Sequence, residues 1–228
     1  MWNRQQVKEQ AKIIMKRNYW KMFVVTLLAE LLTGEKTTII ERVQNFASTN
    51  ISYDTSPIFY SSNFQYIFYS FISIASILGI LYTIFIGNVI VVGKSRYFIK
   101  NHDVNPELGE IFSGFKGNYL NVVKIMFLMN LKILLWLFLF IVPGFIKAYE
   151  YSMIPYLLAE NPNLSASQAF SLSKQMTTGQ KMDLFVLDLS FLGWIILGLI
   201  CCGIGILFLQ PYPEATRAEV YLILKQQV

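Results

Sequence analysis

Apolar positions in this chain follow two arrangements, stripes at helical spacing and long unbroken runs. Near the amino terminus Val7, Ala11, Ile14 and Met15 share one helical face, while Arg4, Lys8, Lys12 and Lys16 lie on the other. Residues 3–18 therefore read as an amphipathic helix whose basic face suits a membrane surface. Asn18-Tyr19-Trp20 follows, and the apolar run 22–32 predicts entry into a bilayer. Residues 33–63 are rich in Ser, Thr and Asn, with two basic and three acidic residues. From Thr55 to Gly93 there are 39 residues without a formal charge, more than the roughly 20 that a span needs. The expected span is 65–92.

Residues 94–118 carry Lys94, Arg96, Lys100 and Lys116, which predicts a cytoplasmic segment by the positive-inside rule. Within it, ELGEIFSGFKGN reads as a short interfacial helix ending at Gly117. The apolar run 119–142 carries Lys124, Asn130 and Lys132. Pro143-Gly144 is the expected hairpin tip, because proline removes a donor and glycine permits a turn. Residues 145–159 return as a second helix, and Asn161-Pro162 marks its exit. Ser165 is placed to cap a helix over 165–178 that ends at Gly179. The span 182–200 comes next, Cys201-Cys202-Gly203-Ile204-Gly205 breaks it, and 206–224 returns with a kink at Pro211 and Pro213.

Set side by side, these pieces suggest a threefold repeat over 3–97, 105–160 and 165–226. Each unit has an amphipathic helix, a Gly or Asn break, a span outward and a span back. The fold class expected is all-α: a polytopic transmembrane bundle of about six spans in three hairpins, with cytoplasmic amphipathic helices. Residues 1–228 form one membrane domain, in the cell membrane, with both termini cytoplasmic.

Composition agrees with that pattern. Hydrophobic residues make up 54% and charged residues 14%, with a mean hydropathy of +0.46. An ordinary soluble domain carries about 25% charged residues. The net charge of +5 argues for membrane surface and not for nucleic acid, because the basic residues flank the apolar runs and form no single patch. Cys201 and Cys202 are adjacent inside an apolar run, which excludes a disulfide framework and C-x-x-C metal spacing. Six basic residues precede the first sustained apolar run, and no small-x-small site follows Leu32, so the first segment is expected to be a retained anchor.

One stretch resembles a known family. Leu135-Trp136-Leu137, then Ile141 through Met153 (IVPGFIKAYEYSM), looks like the signature of a bacterial integral membrane family catalogued as domain of unknown function 975. Ser173-Lys174, Gly179, Lys181, Phe185, Ser190-Phe191, Gly193-Trp194, Pro211-Tyr212 and Tyr221 extend the resemblance over nearly the whole chain. Asp188 departs from it, since an uncharged residue is expected there. The family is distantly similar to membrane domains of glycerophosphodiester phosphodiesterases. The resemblance implies a multi-span protein and supplies no activity or ligand.

Catalytic chemistry is hard to assemble from these residues. His102, the single histidine, is expected in a surface loop beside Asp103, which is no metal site. Gly203-x-Gly205 lacks the strand that a dinucleotide fingerprint needs. No enzyme, metal or cofactor is expected. What remains are charges at membrane depth, which are costly and therefore candidates for function. Lys132, Lys147, Glu150, Asp188 and Arg217 form the candidate polar cluster, with Lys147 three residues before Glu150 and Lys132 within reach of it. Arg4, Lys8, Lys12 and Lys16 are the candidate lipid-surface contacts. The expectation is a non-catalytic protein that binds lipids or a membrane protein partner in the cell envelope. The alternative is a small-molecule or ion transporter using the polar layer.

Overall fold

The computed structural model describes residues 2–33, 62–200 and 208–228. Most of the Ser-, Thr- and Asn-rich segment 33–63 (residues 34–61) and the break at Cys201–Gly205 lie outside the described residues. Within them the chain is helical, with no strand. Its helices are α1 (Arg4–Thr33), α2 (Ser62–Tyr82), α3 (Asn88–Asp103), α4 (Tyr119–Leu139), α5 (Ile141–Glu150), α6 (Ile154–Glu160), α7 (Ala166–Thr177), α8 (Lys181–Ile200) and α9 (Pro211–Lys225). A π-helical turn, Thr83–Gly87, joins α2 to α3, and a 3-10 segment, Leu108–Phe115, precedes α4.

In α1 the apolar stripe governs packing. Val7, Ala11, Ile14, Met22, Val25 and Ala29 are buried along one side, and the stripe runs through a non-helical kink at Asn18 (φ −135°). The kink is fixed by side chains: Asn18 donates to Asn101 at 2.8 Å, and Arg17 donates to the carbonyls of Asn101 and His102 at the end of α3. Those carbonyls have no helical partner of their own, so a cation there is favourable.

At the centre stands α3, packed by α1, the 3-10 segment, α4, α6 and α9. The short helix expected here is present as a 3-10 helix, Leu108–Phe115, and it lies against α3. Two glycines allow it. A Cβ on Gly93 would sit 1.8 Å from the Ile111 carbonyl oxygen, and one on Gly114 would sit 2.5 Å from that of Val89. Backbone meets backbone there. Glu110 adds a salt bridge to Lys100 at 2.6 Å and another to Arg96 at 3.4 Å.

Other expectations shift in place. The hairpin turn falls at Phe140, whose backbone is extended (φ −152°, ψ 133°), and not at Pro143-Gly144. Pro143 sits in the first turn of α5, where its missing N–H would have had no partner anyway. Gly144 is spent on close packing, since a Cβ there would meet Leu137 at 2.5 Å. The return 145–159 is broken into α5 and α6 by the turn at Tyr151–Met153. Pro211 opens α9 at its first turn, directly after a turn at Gln210 that separates it from helical residues 208–209. His102 lies in the last turn of α3 and not in a loop.

Two helices, Ser73–Asp103 and Tyr119–Leu139, are long and apolar enough to cross a membrane. Six spans are not seen among the described residues. Large apolar side chains are exposed along 71–85, along 134–146 around the hairpin turn, and along the first part of α8; Phe138 is 92% exposed.

Candidate functional site

The sequence-expected polar residues separate into two neighbouring groups. Glu150 is the last residue of α5 and is 3% exposed. Its carboxylate is held between Lys147 Nζ at 2.7 Å and Lys181 Nζ at 2.6 Å. Its backbone carbonyl, left over at the helix end, accepts from Ser173 at 2.7 Å and from Thr177 at 3.4 Å, both on α7. Spacing pointed to Lys147. Lys181, 31 positions away, was noted only for its family resemblance, because no local period links α5 to the first residue of α8.

Lys132 does not join this group. Its ammonium lies 3.6 Å from the centre of the Phe170 ring on α7, so the expected approach to Glu150 is not made. The cause is direction: α4 presents Lys132 to α7, while α5 turns Glu150 towards α8.

The second group gathers Asp188 on α8 and Arg217 on α9. Arg217 Nη2 reaches both carboxylate oxygens at 3.0 Å, and the Tyr149 hydroxyl donates to Asp188 at 3.1 Å. These residues line a cavity of about 410 Å³ between α3, α5, α8 and α9. Lys94 and Glu214, paired at 2.8 Å, line it too, with Ser95, Ser152 and Tyr156. Val91, Phe145, Leu184 and Leu187 supply an apolar wall. Lys94, Glu214, Tyr149 and Tyr156 were missed by sequence reasoning. Lys94 had been assigned to orientation alone, and its partner lies 120 positions away.

A larger cleft of about 800 Å³ opens between α1, the α2–α3 helix and α4. Its lining is mostly apolar. Asn130 donates to Asn88 at 3.0 Å on its floor, an interhelical bond of the kind that holds apolar helices together.

The basic face of α1 divides. Arg4, Lys12 and Lys16 are exposed. Lys8 turns inward instead, donating to Ser190 at 2.6 Å and lying over the Phe191 ring of α8. Partial burial against α8, with Lys12 and Arg4 nearby, holds its pKa below the ordinary lysine value. His102 is tied to buried Glu219 at 2.8 Å and is not a bare surface residue. Among the described residues no group of three or more His, Cys, Asp or Glu could hold a metal.

Residues 140–228 match the model of a family described as protein of unknown function (DUF975). Over that region the chain is similar to this family, and the match does not extend over nearly the whole chain as the resemblance had implied. The match begins at the hairpin turn and takes in Lys147, Glu150, Lys181, Asp188, Glu214 and Arg217, while Lys94 lies outside it. No curated protein matches, and neither does any solved structure. The distant likeness to phosphodiesterase membrane domains is not shown.

Proposed function

We propose that this chain is a multi-span protein of the cell membrane that binds lipids and catalyses no reaction. The observation that carries this is the distribution of exposed apolar side chains. A soluble monomer rarely exposes contiguous apolar patches beyond a few hundred Å². Here three stretches of large apolar side chains face outward, and two of them belong to the helices long enough to cross a bilayer. At ten residues α5 reaches only about 15 Å, so the α4–α5 turn enters the membrane without a full return crossing. Exposed Arg4, Lys12 and Lys16 support a cytoplasmic amino terminus lying against anionic headgroups. The charged groups around the cavity are engaged in pairs, which suits binding better than proton transfer.

Native mass spectrometry of the detergent-extracted protein tests the lipid part. Replacing Arg4, Lys12 and Lys16 by Gln should lower the number of anionic lipids retained. Lys8→Gln should leave it unchanged, because that side chain faces Ser190. Equal retention by the triple variant would overturn the reading. A second reading, passage of a small solute, is favoured by the charged cavity, and flux into proteoliposomes lost with Asp188→Asn would support it.

A further inference from the structure

We propose that the cavity between α3, α5, α8 and α9 holds a zwitterionic headgroup, a phosphate and a primary ammonium on one molecule. This rests on the lipid-binding reading and names its ligand.

Charge balance is the first argument. Two cations, Lys94 and Arg217, and two carboxylates, Glu214 and Asp188, line one space. A lone anion entering it meets both carboxylates, and a lone cation meets both cations. A molecule carrying both charges is attracted at each end.

Unused donors are the second. Arg217 meets Asp188 through Nη2 alone, and its Nε and Nη1 make no hydrogen bond among the described residues. A guanidinium fork matches the oxygens of a phosphate. Tyr156 lines the same cavity close to Glu214, Arg217 and Asp188, is 6% exposed, and stacks on Tyr221. Its hydroxyl has no hydrogen-bond partner among the described residues. The hydroxyl opens to the cavity beside the unengaged edge of the exposed Arg217 guanidinium, so both can donate to an oxyanion placed there. Glu214 and Asp188 then accept from the ammonium.

Size and wall are the third. About 410 Å³ falls within the roughly 300–1,000 Å³ of small-molecule sites. Val91, Phe145, Leu184 and Leu187 give an attached chain an apolar path.

The full-length protein in lipid nanodiscs decides the matter, with binding of phosphatidylethanolamine, phosphatidylcholine and phosphatidylglycerol compared. Phosphatidylethanolamine should bind best, since the quaternary ammonium of phosphatidylcholine has no N–H and phosphatidylglycerol has no cation. Tyr156→Phe should weaken that binding about tenfold, as loss of one bond to a charged group does. The same variant should unfold at the wild-type temperature, because the hydroxyl makes no bond within the protein. Displacement of the lipid by excess soluble phosphoethanolamine identifies the headgroup alone as the ligand; retention identifies the whole lipid. Either supports the proposal. Equal binding of the three lipids, or wild-type affinity in Tyr156→Phe, would overturn it. The general lipid reading would survive that result, because it is read from anionic lipids at Arg4, Lys12 and Lys16.

Discussion

Glu150 carries one negative charge into a nearly closed site and meets two ammonium groups there. Burying a carboxylate costs several kcal/mol, and close partners offset that cost only while they are present. Removing the charge strands Lys147 and Lys181 beside each other. Glu150→Gln is therefore expected to destabilise the protein by about 3 kcal/mol or more, read as a lower unfolding temperature in detergent. Adding Lys181→Gln should recover part of the loss. Lys132→Ala should cost only about 0.5–1 kcal/mol, the worth of its contact with Phe170. A larger effect of Lys132 would mean that it does serve Glu150. The pairing of Glu150 with Lys147 was legible in the sequence because helical spacing dictates it. Lys181, Lys94 and Glu214 were not, since their partners are chosen by how distant helices pack.

For the elements, periodicity told more than breakers did. The amphipathic stripe of α1 and the cap of α7 could be read directly. Ser165 accepts from the Gln168 backbone while Gln168 reaches back to the Ser165 N–H. Ser165→Ala should cost about 1 kcal/mol and raise amide exchange in the first turn of α7. Unchanged exchange there would show that tertiary packing alone holds that end. Pro143-Gly144 misled because both residues have uses other than turning. Proline suits the first turn of a helix, and glycine suits close contact with Leu137. Likewise Gly93 and Gly114 carried no visible signal, although the backbone contact between α3 and segment 108–115 depends on them. The departures from helix at Asn18, Gly117 (φ +90°) and Gly179 (φ +79°) do coincide with the expected break positions. Residues that relieve the backbone leave a trace in sequence that packing partners do not.

For the whole molecule, composition signalled a chain unable to cover itself with charge, and the exposed apolar stretches are where that shortage falls. The protein should remain in the membrane pellet after alkaline carbonate extraction and appear in solution only with detergent. Release by carbonate alone would remove the case for crossing helices. The number of crossings was less legible. Hydropathy counts apolar length, and it does not register that α5 and α6 are separate short helices joined by a turn.

The junction at Arg17 and Asn18 has a mechanical consequence. Both side chains fasten the bend of α1 to the far end of α3, which continues through the π-helical turn into α2. A helix that tilts to match a thinner or thicker bilayer therefore takes α1 with it, as one arm of a lever takes the other. Spin labels at Ile13 and Asp103 should then keep one separation in bilayers of different thickness, while the depth of Ile13 relative to the headgroups changes. The basic face bearing Arg4, Lys12 and Lys16 is then the arm that moves when the bilayer thickness changes.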